Sequence, residues 1–211
     1  MVKIQKRNEL PVLKKILVMG APKSGKSTFV EQYCKDNSLN AVVIDIDDTN
    51  YTDMPLIRPN AGLRDCKLVR DSFDDLIFDA VMDGISIAKK EGYDTIVIDG
   101  WTLFMSDMEG EAVGWEKINK KNSKLRMTLK KLRLSGMNII IIGQSDMKIV
   151  VDKETNEIKS NKAVLDINSF VNEVYECTCS NGVYRVNTIA KRTLTDEHEN
   201  NDDLDDLDLD I

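Results

Sequence analysis

Residues 20–27 read Gly-Ala-Pro-Lys-Ser-Gly-Lys-Ser, a complete G-x-x-x-x-G-K-[ST] loop of the kind that cradles phosphates. The chemistry of such a loop is anion capture. Successive backbone N–H groups point inward and the positive end of the following helix adds to them, so a polyphosphate meets ready-made donors. Gly20 and Gly25 permit approaches that a Cβ blocks. The Lys26 ammonium is expected to reach the β- and γ-phosphates, and the Ser27 hydroxyl to ligate Mg²⁺. Nucleotide binding is therefore expected of Gly20, Ala21, Pro22, Lys23, Ser24, Gly25, Lys26, Ser27 and the next residue, Thr28. ATP and Mg²⁺ are the cofactors this implies.

Three further polar groups close apolar runs. Thr95-Ile96-Val97-Ile98 ends in Asp99, a carboxylate expected to hold Mg²⁺ directly or through water. Ala41 to Ile46 leads into Asp47 and Asp48. Alternation along a strand puts Asp45 and Asp47 on the same side. Asp47 is the candidate to orient or deprotonate an attacking water, with capping of the next turn as the other reading. Asn138 to Ile142 ends in Gly143-Gln144. The Gln144 amide is a candidate γ-phosphate sensor, or else it closes a strand edge.

The elements that must position these groups alternate. Apolar runs of strand type fall at 16–19, 41–46, 95–98 and 138–142. Between them, residues 72–91 and 115–135 carry apolar residues at helical spacing. The order β-α-β-α-β-α-β with unbroken apolar strands predicts an α/β fold, a mostly parallel sheet flanked by helices. After 142 the pattern changes. Residues 147–151, 158–165, 173–179 and 183–190 read as shorter, more polar strands, with Thr155-Asn156 and Asn181-Gly182 as turns. They predict an antiparallel extension on one edge of the sheet.

Composition bounds the rest. The chain has 211 residues, 42% apolar and 31% charged, as in one globular domain. No apolar run approaches the roughly 20 residues of a membrane span, and the basic N-terminus lacks the apolar stretch of a secretion signal. A cytoplasmic location is expected. The four cysteines include Cys177-Thr178-Cys179, which is not metal-ligand spacing, so free thiols are expected. Residues 195–211 hold nine acids and no Lys or Arg; without those nine, the net charge of −7 becomes +2. The expected organisation is a folded body over 1–194 and a disordered acidic tail over 195–211. Leu204, Leu207, Leu209 and Ile211 give that tail an acidic-hydrophobic character, suited to a basic groove or simply to solubility.

Taken in order, these landmarks resemble the RecA-like P-loop ATPases, and most of all the small phage-encoded RecA-core proteins of replication and single-strand annealing. The resemblance runs from about residue 14 to 194. It makes Ile96-Val97-Ile98-Asp99 the Walker B strand, which is usually followed by Ser and here by Gly100. It makes Asp47 the catalytic acid, a position that usually carries Glu. Trp115-Glu116-Lys117-Ile118-Asn119 and the basic helix after it resemble a segment of the phage group. Val186 to Arg192 resembles the late strand whose terminal Lys191 and Arg192 reach a neighbouring subunit's nucleotide. The resemblance implies a ring or filament with ATP between subunits, in a bacterial host's cytoplasm if the chain is phage-encoded.

It also implies single-stranded DNA as a partner, contacted through the loops after Asp99 and Gln144. Trp101, Phe104 and Trp115 are candidates to stack on bases, or to be buried in the core. Residues 117–133 hold eight basic residues in 17, enough to track a phosphate backbone or to form a solvated face. Two other readings use the same loop: a small-molecule kinase, and an ATP-gated adaptor or helicase loader with little turnover.

Overall fold

The computed structural model describes residues 12–49, 51–58, 73–108, 114–144, 150–151, 158–159, 167 and 170–191. Period-two burial along its strands explains how the sheet is held. β1 (Lys15–Gly20) opens the core. Leu17 and Met19 pack into one apolar cluster, while Ile16 and Val18 pack into a second on the opposite face. β2 (Ala41–Asp45) follows the same rule, with Val42 and Ile44 on one side and Val43 on the other. Such two-sided burial is why these strands lack polar alternation.

α1 (Lys26–Asp36) covers the smaller cluster through Val30 and Cys34. The two-residue β3 (Leu56–Ile57) flanks β2. α2 (Phe73–Lys90) covers the larger cluster with Val81, Ile85 and Ala88. β4 (Thr95–Asp99) is buried at every residue. α3 (Trp101–Asp107) and α4 (Trp115–Ser135) complete that layer, with Trp101, Phe104, Leu125, Leu129 and Leu132. β5 (Asn138–Gln144) runs between β4 and β1. β6 (Val150–Val151) and β7 (Ile158–Lys159) pair antiparallel in a separate small sheet. β8 (Glu173–Ser180) and β9 (Val183–Lys191) finish the main one.

The seven-stranded order is β3-β2-β4-β5-β1-β8-β9. The expected mostly parallel sheet with helices on both faces is present. The extension differs in one respect: β8 joins β1 in parallel and only β9 reverses, through a hairpin at Asn181-Gly182. The polar pattern of 173–180 reflects its position near the edge rather than its direction. The segment 101–111, read as a DNA-facing loop after Asp99, opens as α3, and Trp101 and Phe104 take the alternative place in the core; residues 109–111 lie outside the described residues. Among the described residues, no helix is long and apolar enough to cross a membrane. Cys34, Cys177 and Cys179 are free, and burial pushes the Cys34 and Cys177 thiols up to about 11. Cys66 lies outside the described residues, as does the tail at 195–211.

Candidate nucleotide site

The parallel strands β1, β2, β4 and β5 end at one edge, and their tips carry the polar groups. β1 ends at Gly20, where the loop begins, and α1 starts at Lys26. The Lys26 ammonium folds back to donate to the carbonyl oxygens of Gly20 and Ala21, 2.9 Å each. Burial pulls its pKa down, against the pull of Asp99, Cys177 and Asp47 nearby. The Ser27 hydroxyl donates to Asp99 Oδ2 at 3.2 Å, across 72 residues of sequence. The Tyr51 hydroxyl donates to the same oxygen at 2.6 Å. Burial and the neighbouring Asp99 push the Tyr51 phenol well above its ordinary value, so it stays a donor.

β2 stops at Asp45, earlier than the apolar run suggests, and Asp47 lies beyond the strand. The two acids therefore part company. Asp45 is fully buried, pairs with Arg58 Nε at 3.0 Å and accepts the Thr49 N–H at 2.8 Å. Desolvation raises its pKa although Thr49 and Arg58 oppose the rise. It braces the turn. Asp47 lines the cleft instead. Burial raises its pKa, and the charges of Asp99 and Asp45 push the same way. Asp47 comes so close because residue 100 is glycine. Gly100 has φ +95°, and a Cβ there would sit 2.8 Å from Asp47 Oδ1 and 2.9 Å from Ile46 Cβ.

Lys26, Ser27, Asp47 and Asp99 line a cleft of about 1030 Å³, which also takes in Gln144, Phe29, Gln32, Tyr184, Arg185 and Val186. The Gln144 backbone N–H donates to Thr102 Oγ1 at 2.9 Å, which ties the tip of β5 to α3. The Ser24 hydroxyl is buried with no hydrogen-bond partner among the described residues. An orphaned buried hydroxyl and a lysine held only by its own loop's carbonyls fit a site whose donors expect phosphate oxygens. No group of three or more His, Cys, Asp or Glu side chains comes together among the described residues. Ser27 and Asp99 offer two hard oxygens, which suits an ion that takes its other ligands from phosphate and water.

The structure brings Lys26, Ser27, Asp47, Asp99 and Gln144 to one cleft. It does not bring Lys191 there. Lys191 pairs with Glu173 at the far end of the hairpin, beside Ile16 at the start of β1. About 20 Å of strand separate it from Arg185, and Arg185 is the β9 cation at the cleft. Arg192 lies outside the described residues. Trp101 and Phe104 are fully buried, whereas Trp115 is 80% exposed at the start of α4. Sequence reasoning missed Tyr51, Arg58 and Tyr184. None belongs to a motif, and only the chain's return toward the loop gives them a place.

A family model described as an AAA domain, AAA_24, matches residues 13–202. No curated protein sequence matches the chain. Among solved structures, the chain is similar to a KaiC-like protein, PH0186, from the hyperthermophilic archaeon Pyrococcus horikoshii OT3. The two share 14% identity at a TM-score of 0.50, over 87% of this chain and 81% of that one. A RadB recombinase aligns at 14% identity and a TM-score of 0.44, over 85% and 81% of the two chains.

Proposed function

The chain belongs to the AAA domain family and has a RecA-like P-loop ATPase fold, and from that premise we propose a Mg²⁺-dependent ATPase of phage DNA replication or recombination that works on single-stranded DNA as a multimer. The observation that carries the reading is the joint approach of Lys26, Ser27, Asp99, Asp47 and Gln144 to one cleft.

The proposed chemistry follows from the side chains. ATP draws Lys26 off the carbonyls of Gly20 and Ala21 and onto its β- and γ-phosphates, and the Ser24 hydroxyl gains an acceptor. Ser27 and Asp99 would hold Mg²⁺, which would supply charge neutralisation on the triphosphate. Asp47 accepts a proton from the attacking water at its carboxylate. The water oxygen bonds to the γ-phosphorus as the bond to the β–γ bridging oxygen breaks, and that oxygen leaves with ADP. A raised pKa makes Asp47 a better base near neutral pH than an ordinary aspartate. The Gln144 amide orients the water without adding charge. Lys191 and Arg192 act on a neighbouring subunit's nucleotide, which fits the position of Lys191 away from its own cleft.

Single-stranded DNA binding is assigned to α4. Its solvent side carries Arg126, Lys130 and Arg133, with Trp115 exposed at its first residue for base stacking. The acidic tail at 195–211 competes for that cationic surface. The test is ATP hydrolysis with and without single-stranded DNA, paired with mass by light scattering. DNA-stimulated turnover by an oligomer is expected. DNA-independent phosphoryl transfer to a nucleoside would instead mark a kinase, and partner capture without turnover an adaptor.

A further inference from the structure

The sheet order puts two sets of residues on opposite sides of β1. Asp47, Asp99 and Gln144 come from the turn after β2, from β4 and from β5, on one side of the phosphate loop. Tyr184 and Val186 come from β9, on the other side. The first set consists of carboxylates and an amide, the chemistry of phosphate and metal. Beside the Arg185 cation, the second offers an aromatic ring and a branched apolar side chain, and the hydrolytic mechanism has no use for those two.

Both are exposed where an edge strand ordinarily shows polar groups: Tyr184 is 63% accessible and Val186 43%. Tyr184 is not a core residue that happens to reach the surface. Its ring lies on the phosphate loop itself, where a Cβ at residue 25 would come 3.0 Å from Tyr184 Cδ1. Gly25 therefore lets the ring settle against the backbone that binds phosphate. A nucleoside leaving that loop on the β9 side meets a flat π-surface with an apolar side chain from the same strand face next to it. Stacking on such a surface is sequence-tolerant and favourable for any base. The strand is anchored for this purpose, since β9 pairs with β8 along its length and β8 pairs with β1 up to Gly20.

We propose that Tyr184, with Val186 beside it, is the nucleobase platform of the cleft, so that β9 supplies in cis the surface on which the base of the bound nucleoside triphosphate stacks. The proposal rests on the nucleotide reading above and adds the part of the ligand that the phosphate loop does not recognise.

Calorimetry on the full chain with Mg²⁺ tests it, using ATP and inorganic tripolyphosphate as paired ligands. Tyr184→Ala is expected to weaken ATP by roughly fivefold or more, the lower end of what base–aromatic stacking supplies, and to leave tripolyphosphate affinity unchanged. Tyr184→Phe is expected to rescue most of the loss, because the ring does the stacking. Ile189→Ser, exposed on the same strand outside the cleft, serves as the control and should match the wild type. Equal ATP affinity in Tyr184→Ala would overturn the platform. An equal loss for both ligands would also overturn it, showing that Tyr184 only shapes the loop. Wild-type protein that binds tripolyphosphate as tightly as ATP would remove the base subsite while sparing the phosphate site. Wild-type protein that binds neither would remove the nucleotide reading itself.

Discussion

β4 and β9 deliver residues to the same cleft by opposite means. Every residue of β4 is buried and every residue of β9 is exposed. β4 lies between β2 and β5, and its apolar residues feed both core clusters, so Asp99 is held by the whole sheet. β9 has one neighbour and contributes nothing to either core. A buried strand can hold a carboxylate to a fraction of an ångström, which chemistry at phosphorus requires. An exposed edge strand offers area and adjustability, which suits a base or a partner. The comparison teaches that this cleft is walled on one side by a buried strand and on the other by an exposed one, with the phosphate loop between them, and the proposed chemistry and base recognition divide along that line.

The largest effect should come from the loop that both sides share. Lys26→Ala is expected to lower ATP turnover at least about a hundredfold, the scale of losing a pre-organised cation at a phosphoryl group. Its melting temperature should stay near the wild-type value, because Lys26 bonds only its own loop's carbonyls. Undiminished hydrolysis in the purified variant would dissolve the comparison, since neither side would then concern nucleotide.

Next comes the rigid side alone. Asp47→Asn should keep ATP affinity and lose turnover by about 10²–10³-fold, because an amide accepts no proton from water. The pH dependence has a definite sign. A base works ionised, and burial together with Asp99 and Asp45 raises the pKa of Asp47. Wild-type kcat/KM should therefore fall as pH drops through that raised value, at a higher pH than an ordinary aspartate would give. The Asn variant should lack this acid limb. A variant that fails to bind ATP would instead give Asp47 a structural or metal-holding role.

A smaller, conditional effect belongs to the far end of β9. If Lys191 and Arg192 serve a neighbour, mixing Arg192→Ala chains with Lys26→Ala chains should recover a several-fold rise over either variant alone. Each then supplies the half-site the other lacks. Mixed oligomers, verified by mass, that stay as inactive as their parents would confine each site to one chain.

The smallest effect sharpens the picture of Asp99. Tyr51→Phe removes one of its two hydroxyl donors. Without nucleotide this should cost about 1.5–3 kcal/mol of unfolding free energy, the value of a hydrogen bond to a charged group, read by urea denaturation. No change in the midpoint would show that Ser27 alone satisfies the carboxylate.

What the sequence disclosed follows this same division. The phosphate loop, the strand ending in Asp99 and the alternation of apolar runs were legible because local chemistry dictates them: phosphate needs consecutive N–H groups, and a doubly covered strand needs an unbroken apolar run. The separation of Asp45 from Asp47 was not legible, because it depends on Arg58 arriving from beyond β3 to pair with one of two acids two residues apart. For Trp101 and Phe104 the sequence left base stacking and core burial both open, and packing of Phe104 on Phe78 decides for the core. The antiparallel pairing of the extension was legible from its turns, whereas the parallel seat of β8 on β1 was not, because a near-edge strand looks the same in sequence whichever way it runs. Tyr184 lies more than 150 residues from the loop it covers, and no spacing rule links the two.

Gly100 carries one more consequence. The chain departs from the RecA-like pattern twice, with Asp in place of Glu at 47 and Gly in place of Ser at 100. In three dimensions the two departures touch, since the carboxylate of Asp47 stands where a side chain at 100 would have to go. They read as a single reciprocal exchange. A glycine at 100 leaves the space that the Asp47 carboxylate occupies. The two positions are therefore coupled: a serine placed at 100 with Asp47 retained would have to displace the carboxylate as well as find room for itself.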